Sequence, residues 1–572
     1  MEYSAIFHDM DKRFCYAIDK DLFVIRVQVK KDDMKEVILH YEDKYIPMER
    51  KDTRKTVPMK KVAVSQFHDY YEAQLRMNLI CLRYFFEFTD MQGEKVYYGN
   101  YEFDKECITN RDRMFDCPQN LREEEMFEVP QWAANKVVYQ IFPSRFAATQ
   151  PVDKKLWYKA PITPMDDLHG NLRGIIEHLD YIKDLGIDVV YLTPIFKSNS
   201  CHKYDTIDYY QVDPSFGTTE DLKELVKKSH ERGMKVVLDA VYNHTGREFF
   251  AFQDILEKGE KSKYLDWYFI DELPPRGEWG EIPNFKCFGY YGGMPKLNLK
   301  NPEVEKYITD VACYWIKECD IDGWRLDVGD EISHFFWKNF RKAIKAVKKD
   351  MLIIGEIWHY AGDFLEGDEW DTVMNYPFYL NLIDLLADEK INVSQFVQNL
   401  GYLKGRLNKK CYPLMWNLID SHDTARFLHL CNDNKKKQHL AAAFQLLLPG
   451  MPMIYYGDEY AMPGANDPDC RRGMYWDEEY QDKEMYEWYK RLIQVRKSHA
   501  CIVEGELAGI VTEDEEGTIV LIRKNGEETI AMIFNCSSSA KKFNEYTQKY
   551  NLLTENTFDG NVEGFDAAVI VL

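Results

Sequence analysis

Residues 323–357 read GWRLDVGDEISHFFWKNFRKAIKAVKKDMLIIGEI. Two short apolar runs, Trp324–Val328 and Leu352–Ile357, flank an amphipathic stretch, and near the end of each stands a carboxylate, Asp327 and Glu356. Continuous apolar runs of this length are expected of strands buried on both faces of a parallel sheet. Strand, helix and strand make one βα repeat. The same alternation extends outward from about residue 135. Further strands are predicted at Val137–Phe142, Val189–Thr193, Val236–Val241, Thr372–Asn375, Leu414–Ile419 and Met453–Tyr456. Eight such repeats predict an α/β fold, a closed (β/α)₈ TIM barrel.

The helices between them have readable ends. Ile175, Ile176, Leu179, Ile182 and Leu185 form one stripe that Gly186 stops. Thr218 with Asp221 resembles a capping box, and Gly233 ends that helix. Asn301-Pro302 is an N-cap followed by proline at the first helical position, with Val304, Ile308, Val311 and Trp315 facing inward. The interval from Asp239 to Asp327 is about fifty residues longer than the roughly 30–40 that a βα repeat takes. An inserted subdomain is therefore expected after strand three, at about 243–300, walling one side of a cleft at the barrel's C-terminal mouth.

Outside the barrel the pattern changes to period two. Phe23, Ile25, Val27 and Val29 alternate with Val24, Arg26, Gln28 and Lys30, and Asn78–Phe88 and Lys95–Phe103 are further strand-like runs. An N-terminal β-sandwich over 1–120 follows, then an acidic stretch, Arg122–Glu128, and a catalytic domain over 121–504. Thr518–Ile522, Thr529–Asn535 and Ala567–Val571 predict a C-terminal β-sandwich over 505–572.

A formal net charge of -22, with no long basic stripe, excludes nucleic acid and acidic membrane surfaces as natural partners. A neutral ligand suits this balance. Thirteen cysteines without a C-x-x-C pair predict reduced thiols in a cytoplasmic protein. Met1–Met10 carries no apolar segment of a secretory signal. The stretch Ala441–Gly457, broken by Gln445, Pro449, Gly450 and Pro452, reads as a buried helix, a turn and a strand rather than a membrane span.

Asp327, Glu356 and Asp423 lie at or just beyond the C-terminal ends of predicted strands four, five and seven, where side chains point at the barrel mouth. Any one alone suits a helix cap or an ion pair; three converging point to acid–base chemistry. Retaining glycoside hydrolysis needs a nucleophilic carboxylate and a protonated carboxyl roughly 5–5.5 Å apart, and adjacent strands supply such a pair. Arg325, two residues before Asp327, points to the same side and is expected to keep Asp327 ionised. Ile357 and Trp358 give Glu356 an apolar setting that favours a raised pKa.

At these residues the chain resembles a known family. Asp239-Ala-Val-Tyr-Asn-His244, Gly323-Trp-Arg-Leu-Asp-Val328, Gly355-Glu-Ile-Trp358 and Ile419-Asp-Ser-His-Asp423 are similar, in order, to the four signature regions of the α-amylase superfamily, glycoside hydrolase family thirteen. Met294-Pro-Lys-Leu-Asn298 resembles the fifth signature of its neopullulanase, cyclomaltodextrinase and maltogenic amylase group, as do Val138-Tyr-Gln-Ile-Phe-Pro143, His202-Lys-Tyr-Asp-Thr206 and Asn466-Asp-Pro-Asp-Cys-Arg-Arg472. The resemblance implies Asp327 as nucleophile, Glu356 as general acid/base and Asp423 as transition-state stabiliser. It implies Arg325 as the nucleophile's partner, Asp239 in the substrate site, His244 and His422 on the sugar in subsite −1, and Tyr204 stacked beneath that sugar. It places Asp469 and Arg472 on the next sugar, Glu331 on the acceptor side, and Trp358 there or merely packing. It further implies a starch-binding-like N-terminal module and a homodimer formed through it.

Two stretches depart from the group. Its Asp-Val-Ala-Asn-Glu is here Asp327-Val-Gly-Asp-Glu331, which predicts an altered acceptor preference. Its Asn/Asp/Gly-rich calcium loop is here Ala147-Ala-Thr-Gln150, without the six or more oxygens a hard cation wants. No cofactor, and no calcium at residues 147–153, is expected. The reading is a hydrolase of α-1,4 links in cyclodextrins, maltooligosaccharides and pullulan, with some α-1,6 cleavage and transglycosylation. The alternatives are another α-glucosidase or glucanotransferase of the superfamily, or a non-catalytic carbohydrate-binding or transporter-associated protein.

Overall fold

The computed structural model describes residues 1–47, 54–118, 126–277 and 280–572. Eight parallel strands form its central sheet: β1 (Val138–Ile141), β2 (Val189–Leu192), β3 (Lys235–Ala240), β4 (Gly323–Leu326), β5 (Leu352–Gly355), β6 (Thr372–Val373), β7 (Trp416–Asn417) and β8 (Met451–Tyr455). They pair in the order β6-β5-β4-β3-β2-β1-β8-β7. A parallel bridge between Met374 and Trp416 joins the two ends and closes the barrel. β6 and β7 are shorter than their apolar runs predict. The chain leaves β6 at once because the Asn375 side chain caps the helix Tyr376–Leu382, accepting from the Phe378 N–H at 3.3 Å.

The surrounding helices begin and end largely where the sequence marks them. Thr218 and Asp221 form the capping box of Thr219–Glu231, and the Asn301 side chain accepts from the Glu303 N–H ahead of the helix Pro302–Cys319. The stripe from Ile175 to Leu185 divides into two short helices, Leu172–Glu177 and Leu179–Leu185, meeting at His178, whose ring bonds back to the Gly174 carbonyl at 2.7 Å. The apolar stretch after Ala441 is the end of a buried helix, Lys435–Leu447, followed by β8. Among the described residues no helix is long and apolar enough to cross a membrane.

Two excursions rise from the mouth. One follows β2: an antiparallel hairpin, Phe196–Ser198 with Thr206–Val212, whose connecting loop carries His202 and Tyr204. The sequence pattern does not mark it. The other follows β3 and is the expected insertion. It holds the helix Phe250–Lys258 and is tied together by the bridges His244–Lys296, Tyr268–Leu297, Ile270–Phe285 and Cys287–Pro295.

The chain divides into two compact units. Pro130–His359, Glu369–Lys390 and Pro413–Leu572 hold the barrel and the C-terminal sheets. There a six-stranded sheet packs beside the helix Lys435–Leu447, with Phe534 stacked on Phe444 at 4.3 Å. The other unit is Met1–Val129 with Tyr360–Asp368 and Ile391–Tyr412. Its two sheets enclose a core of Ile25, Val27, Leu39, Leu75, Phe86 and neighbours. The helix Val393–Arg406 packs on the strand Lys60–Val64 of this unit. Buried Arg26 fixes that helix end, donating to the Gly405 and Leu407 carbonyls at 2.9 Å each and to Glu72 at 2.9 Å. The expected boundary at 120/121 and most of the acidic stretch after it lie outside the described residues.

Candidate active site

Strand register sets the site. Asp239, Arg325 and Ile354 are level across β3, β4 and β5, and Leu326 pairs with Gly355. Asp327 and Glu356, each one residue further on, leave the barrel side by side. Their N–H groups extend the ladder to the Ala240 and Leu326 carbonyls at 3.1 and 3.0 Å. Arg325 is fully buried between them. Its Nη1 lies 2.9 Å from Asp327 Oδ1 and 3.1 Å from Asp239 Oδ1. Its Nη2 lies 2.8 Å from Glu356 Oε1 and 3.9 Å from Asp423 Oδ2. One guanidinium thus faces four carboxylates. Asp327 Oδ2 is buried with no hydrogen-bond partner. Glu356 Oε2 accepts from the Val328 N–H at 2.9 Å. To present that N–H, Val328 takes a left-handed conformation, φ 48°, which a β-branched residue adopts only under strain.

A second layer orients the cleft. The Gln140 amide donates to His422 Nδ1 at 2.8 Å, so Nε2 carries the ring proton. That nitrogen donates to the Tyr204 hydroxyl and lies 3.2 Å from Asp423 Oδ1. Tyr204 in turn donates to Asp239 Oδ2 at 3.0 Å, as Tyr191 does at 2.6 Å. His244 Nε2 lies 3.1 Å from the Tyr204 carbonyl, and its ring stacks on Phe288.

Burial dominates the electrostatics. It drives Asp239 up to about 6 and raises Asp327 and Glu356, with repulsion among the carboxylates adding and Arg325 opposing. The expected guanidinium partner of Asp327 is present, but it is shared among four carboxylates, so the cluster takes up and releases protons as a group. The rise expected for Glu356 is present. Burial lowers His244 to about 3 and His422 well below its ordinary range, so both rings are neutral at pH 7.

A cavity of about 380 Å³ opens above the cluster, the size of a small-ligand site. Asp327, Glu356, Asp423, Tyr204, His244 and Trp358 line it. Trp358 stacks on Tyr376 at 3.9 Å and remains 42% exposed, so one face is free for a ligand. Asp239, Arg325 and His422 lie beneath, bonded to the lining groups. Glu331 is not on the lining: it accepts from Asn243 at 3.1 Å and pairs with Lys296 at 3.3 Å, while its neighbour Asp330 faces the cavity. Asp469 and Arg472 are also turned away. They pair with each other, and Asp469 accepts from the Ile162 and Ala465 N–H groups. Asp467 and Arg471 line the cavity instead, paired at 2.8 Å, with Arg471 donating to the His422 carbonyl at 2.8 Å. Of this motif, then, Asp467 and Arg471 face the cavity, and Asp469 and Arg472, expected on the next sugar, do not line it. The tight turn Asp469–Arg471 decides which Asp and which Arg of this repeated pattern face inward. His202, Phe288 and Met294 also line the cavity; the stretches His202–Thr206 and Met294–Asn298 carry two of them, and no local signal marks Phe288.

Arg471→Lys is expected to lower kcat/KM by about ten- to hundredfold, the loss of a charge-assisted contact, chiefly through KM. Arg472→Lys should lower Tm and leave kcat/KM within about threefold, within the range of a surface substitution away from the chemistry. Kinetics and melting curves on the two variants check this, and the reverse pattern would return Arg472 to the cleft.

Residues 140–505 match the family model described as the α-amylase catalytic domain, and residues 1–119 match that of the α-amylase N-terminal ig-like domain. A cyclomaltodextrinase of Geobacillus thermopakistaniensis (strain MAS1) is 43% identical over 94% of this chain and 92% of its own. An intracellular maltogenic amylase of Bacillus subtilis is 38% identical over 94% and 91%. A solved cyclomaltodextrinase structure superposes with a TM-score of 0.94 at 37% identity, covering all of both chains.

Proposed function

The chain belongs to the α-amylase family, a glycoside hydrolase of α-glucans, and we propose that Asp327, Glu356 and Asp423 carry out its reaction as a retaining double displacement. Asp327 Oδ2 attacks the anomeric carbon as the glycosidic C–O bond breaks, and Glu356 gives its proton to the leaving oxygen. The resulting glycosyl ester on Asp327 is then attacked by water, whose proton returns to Glu356, restoring both carboxyls. A sugar hydroxyl in place of water gives transglycosylation. Asp423 grips hydroxyls of the same ring, more tightly as it flattens. The observation that carries this reading is Asp327 beside Glu356 across a single guanidinium, both lining one cleft. Tyr204 and His244 would hold the reacting sugar, with His422 supporting them from beneath. Asp467 and Arg471 would hold its neighbour, and Trp358 and Asp330 the acceptor. The substrates are cyclodextrins, maltooligosaccharides and pullulan.

A time course on β-cyclodextrin, pullulan and soluble starch with anomer detection by NMR tests the reading. The first-formed reducing ends should be α, from all three substrates. Initial β-anomer would overturn the double displacement, and glucose as sole product would favour an α-glucosidase. We also assign a homodimer formed through the N-terminal unit, following the group resemblance, and a cytoplasmic location, supported by the relative named intracellular. Sedimentation equilibrium of the full chain should give twice the 67.7 kDa chain mass.

A further inference from the structure

We propose that Cys15 and Cys117 are an oxidisable pair that closes reversibly into a disulfide between the first and last strands of the N-terminal unit. Cys15 opens the strand Cys15–Ala17, and Cys117 lies in Phe115–Pro118. The two strands belong to different sheets: one pairs with Leu22–Lys30, the other with Cys81–Asp90. Across the gap the two Sγ atoms stand 2.7 Å apart. The two thiols are therefore in direct contact, sulfur against sulfur, as the partners of a disulfide must be. Both are thiols in this structure.

The surroundings explain why the pair can wait reduced and still react. Cys15 and Cys117 sit in the apolar core with Ile25, Leu82, Tyr84 and Phe115, 6% and 8% exposed. The neighbouring Cys117 sulfur and burial both hold the Cys15 thiol well above its ordinary pKa, so oxidation is slow at neutral pH. Each strand is short and lies at a margin of the unit's ladders: Cys15–Ala17 is a sheet edge, and Phe115–Pro118 pairs only with Cys81–Asp90. Such ends open locally at low cost. A low-molecular-weight disulfide such as oxidised glutathione supplies the oxidising equivalents. The Cys15 thiolate attacks one of its sulfurs and releases a first glutathione thiolate. Cys117 thiolate then attacks the Cys15 sulfur, the protein S–S bond forms, and the second glutathione thiolate leaves. The two protons lost by the protein thiols end on the two glutathiones, so the pair loses two electrons and glutathione gains them. The bond links positions 102 apart in sequence. A loop of that length restricts the unfolded chain strongly and favours the folded unit.

The test uses the full chain, incubated with oxidised glutathione at pH 8, quenched with iodoacetamide in denaturant and digested without reductant. The expected result is a Cys15–Cys117 linked peptide, with no alkylated Cys15 or Cys117 beside it, and a Tm raised by several degrees that dithiothreitol reverses. Cys15→Ala and Cys117→Ala should each abolish the linked peptide and the reversible rise. Recovery of Cys15 and Cys117 as alkylated thiols, or only as separate glutathione adducts, would overturn the proposal. The wild-type peptide map decides the question even where a variant folds poorly.

Discussion

Asp327→Asn is expected to reduce kcat on every α-glucan by on the order of 10⁴-fold or more, the scale at which loss of a covalent nucleophile registers, while Tm stays level or rises. The amide keeps the side-chain shape and removes a buried negative charge from a crowded cluster, so folding has little to lose. Glu356→Gln separates the two roles. It should lower kcat on maltooligosaccharides by about 10²–10⁴-fold, the usual weight of general acid catalysis, yet spare the first step on an α-maltosyl fluoride, whose leaving group needs no proton. An acid/base residue shows that dependence on the leaving group and a nucleophile does not. Burst kinetics on the fluoride would reveal the accumulated glycosyl ester in the Glu356 variant. An Asp327→Asn enzyme with most of its rate, or equal losses on both substrates for Glu356→Gln, would sink the assignment.

Arg325→Leu should be the most damaging single change to the barrel. Arg325 is the cation shared by Asp239, Asp327, Glu356 and Asp423, with no exposure of its own. Removing one partner of a buried ion cluster costs roughly 3–5 kcal/mol. The loss should depend on pH in a definite direction. Burial already places these carboxyls above their unfolded values, Asp239 at about 6, and without the guanidinium they rise further. Groups whose folded pKa is raised bind more protons folded than unfolded. They cost least at low pH and destabilise progressively as pH climbs through the folded values. The variant should therefore be more stable near pH 5 than near pH 8, with a steeper dependence than the parent chain. Urea midpoints across that range measure it, and a flat profile for the variant would mean that Arg325 does not balance the cluster. Activity should fall with it, since Asp327 would stay protonated.

Much of this was legible in the chain because burial on both faces of a barrel strand demands an uninterrupted apolar run. A charged residue at the end of such a run has few places to go but the mouth. Asp327 and Glu356 stand out for that reason, and Thr218, Asn301 and Gly186 mark helix ends through local backbone chemistry alone. The hairpin carrying Tyr204 was not legible, since its strands are short and mixed in polarity. Asp467 and Arg471 could not be told from Asp469 and Arg472, because both pairs occur within six residues and only the fold of the turn separates them.

The sequence by itself determined the barrel, the insertion after β3 and the three carboxylates at its mouth, because apolar runs, helix ends and the residues that follow them are read along the chain. Only the tertiary structure decided which groups share Arg325, and hence how the cluster holds its protons. It likewise decided which residues line the cleft and that the helix Val393–Arg406 belongs to the N-terminal unit. Those outcomes depend on strand register and on contacts such as Arg26 with Gly405, 379 positions apart, and no local pattern encodes distances of that kind.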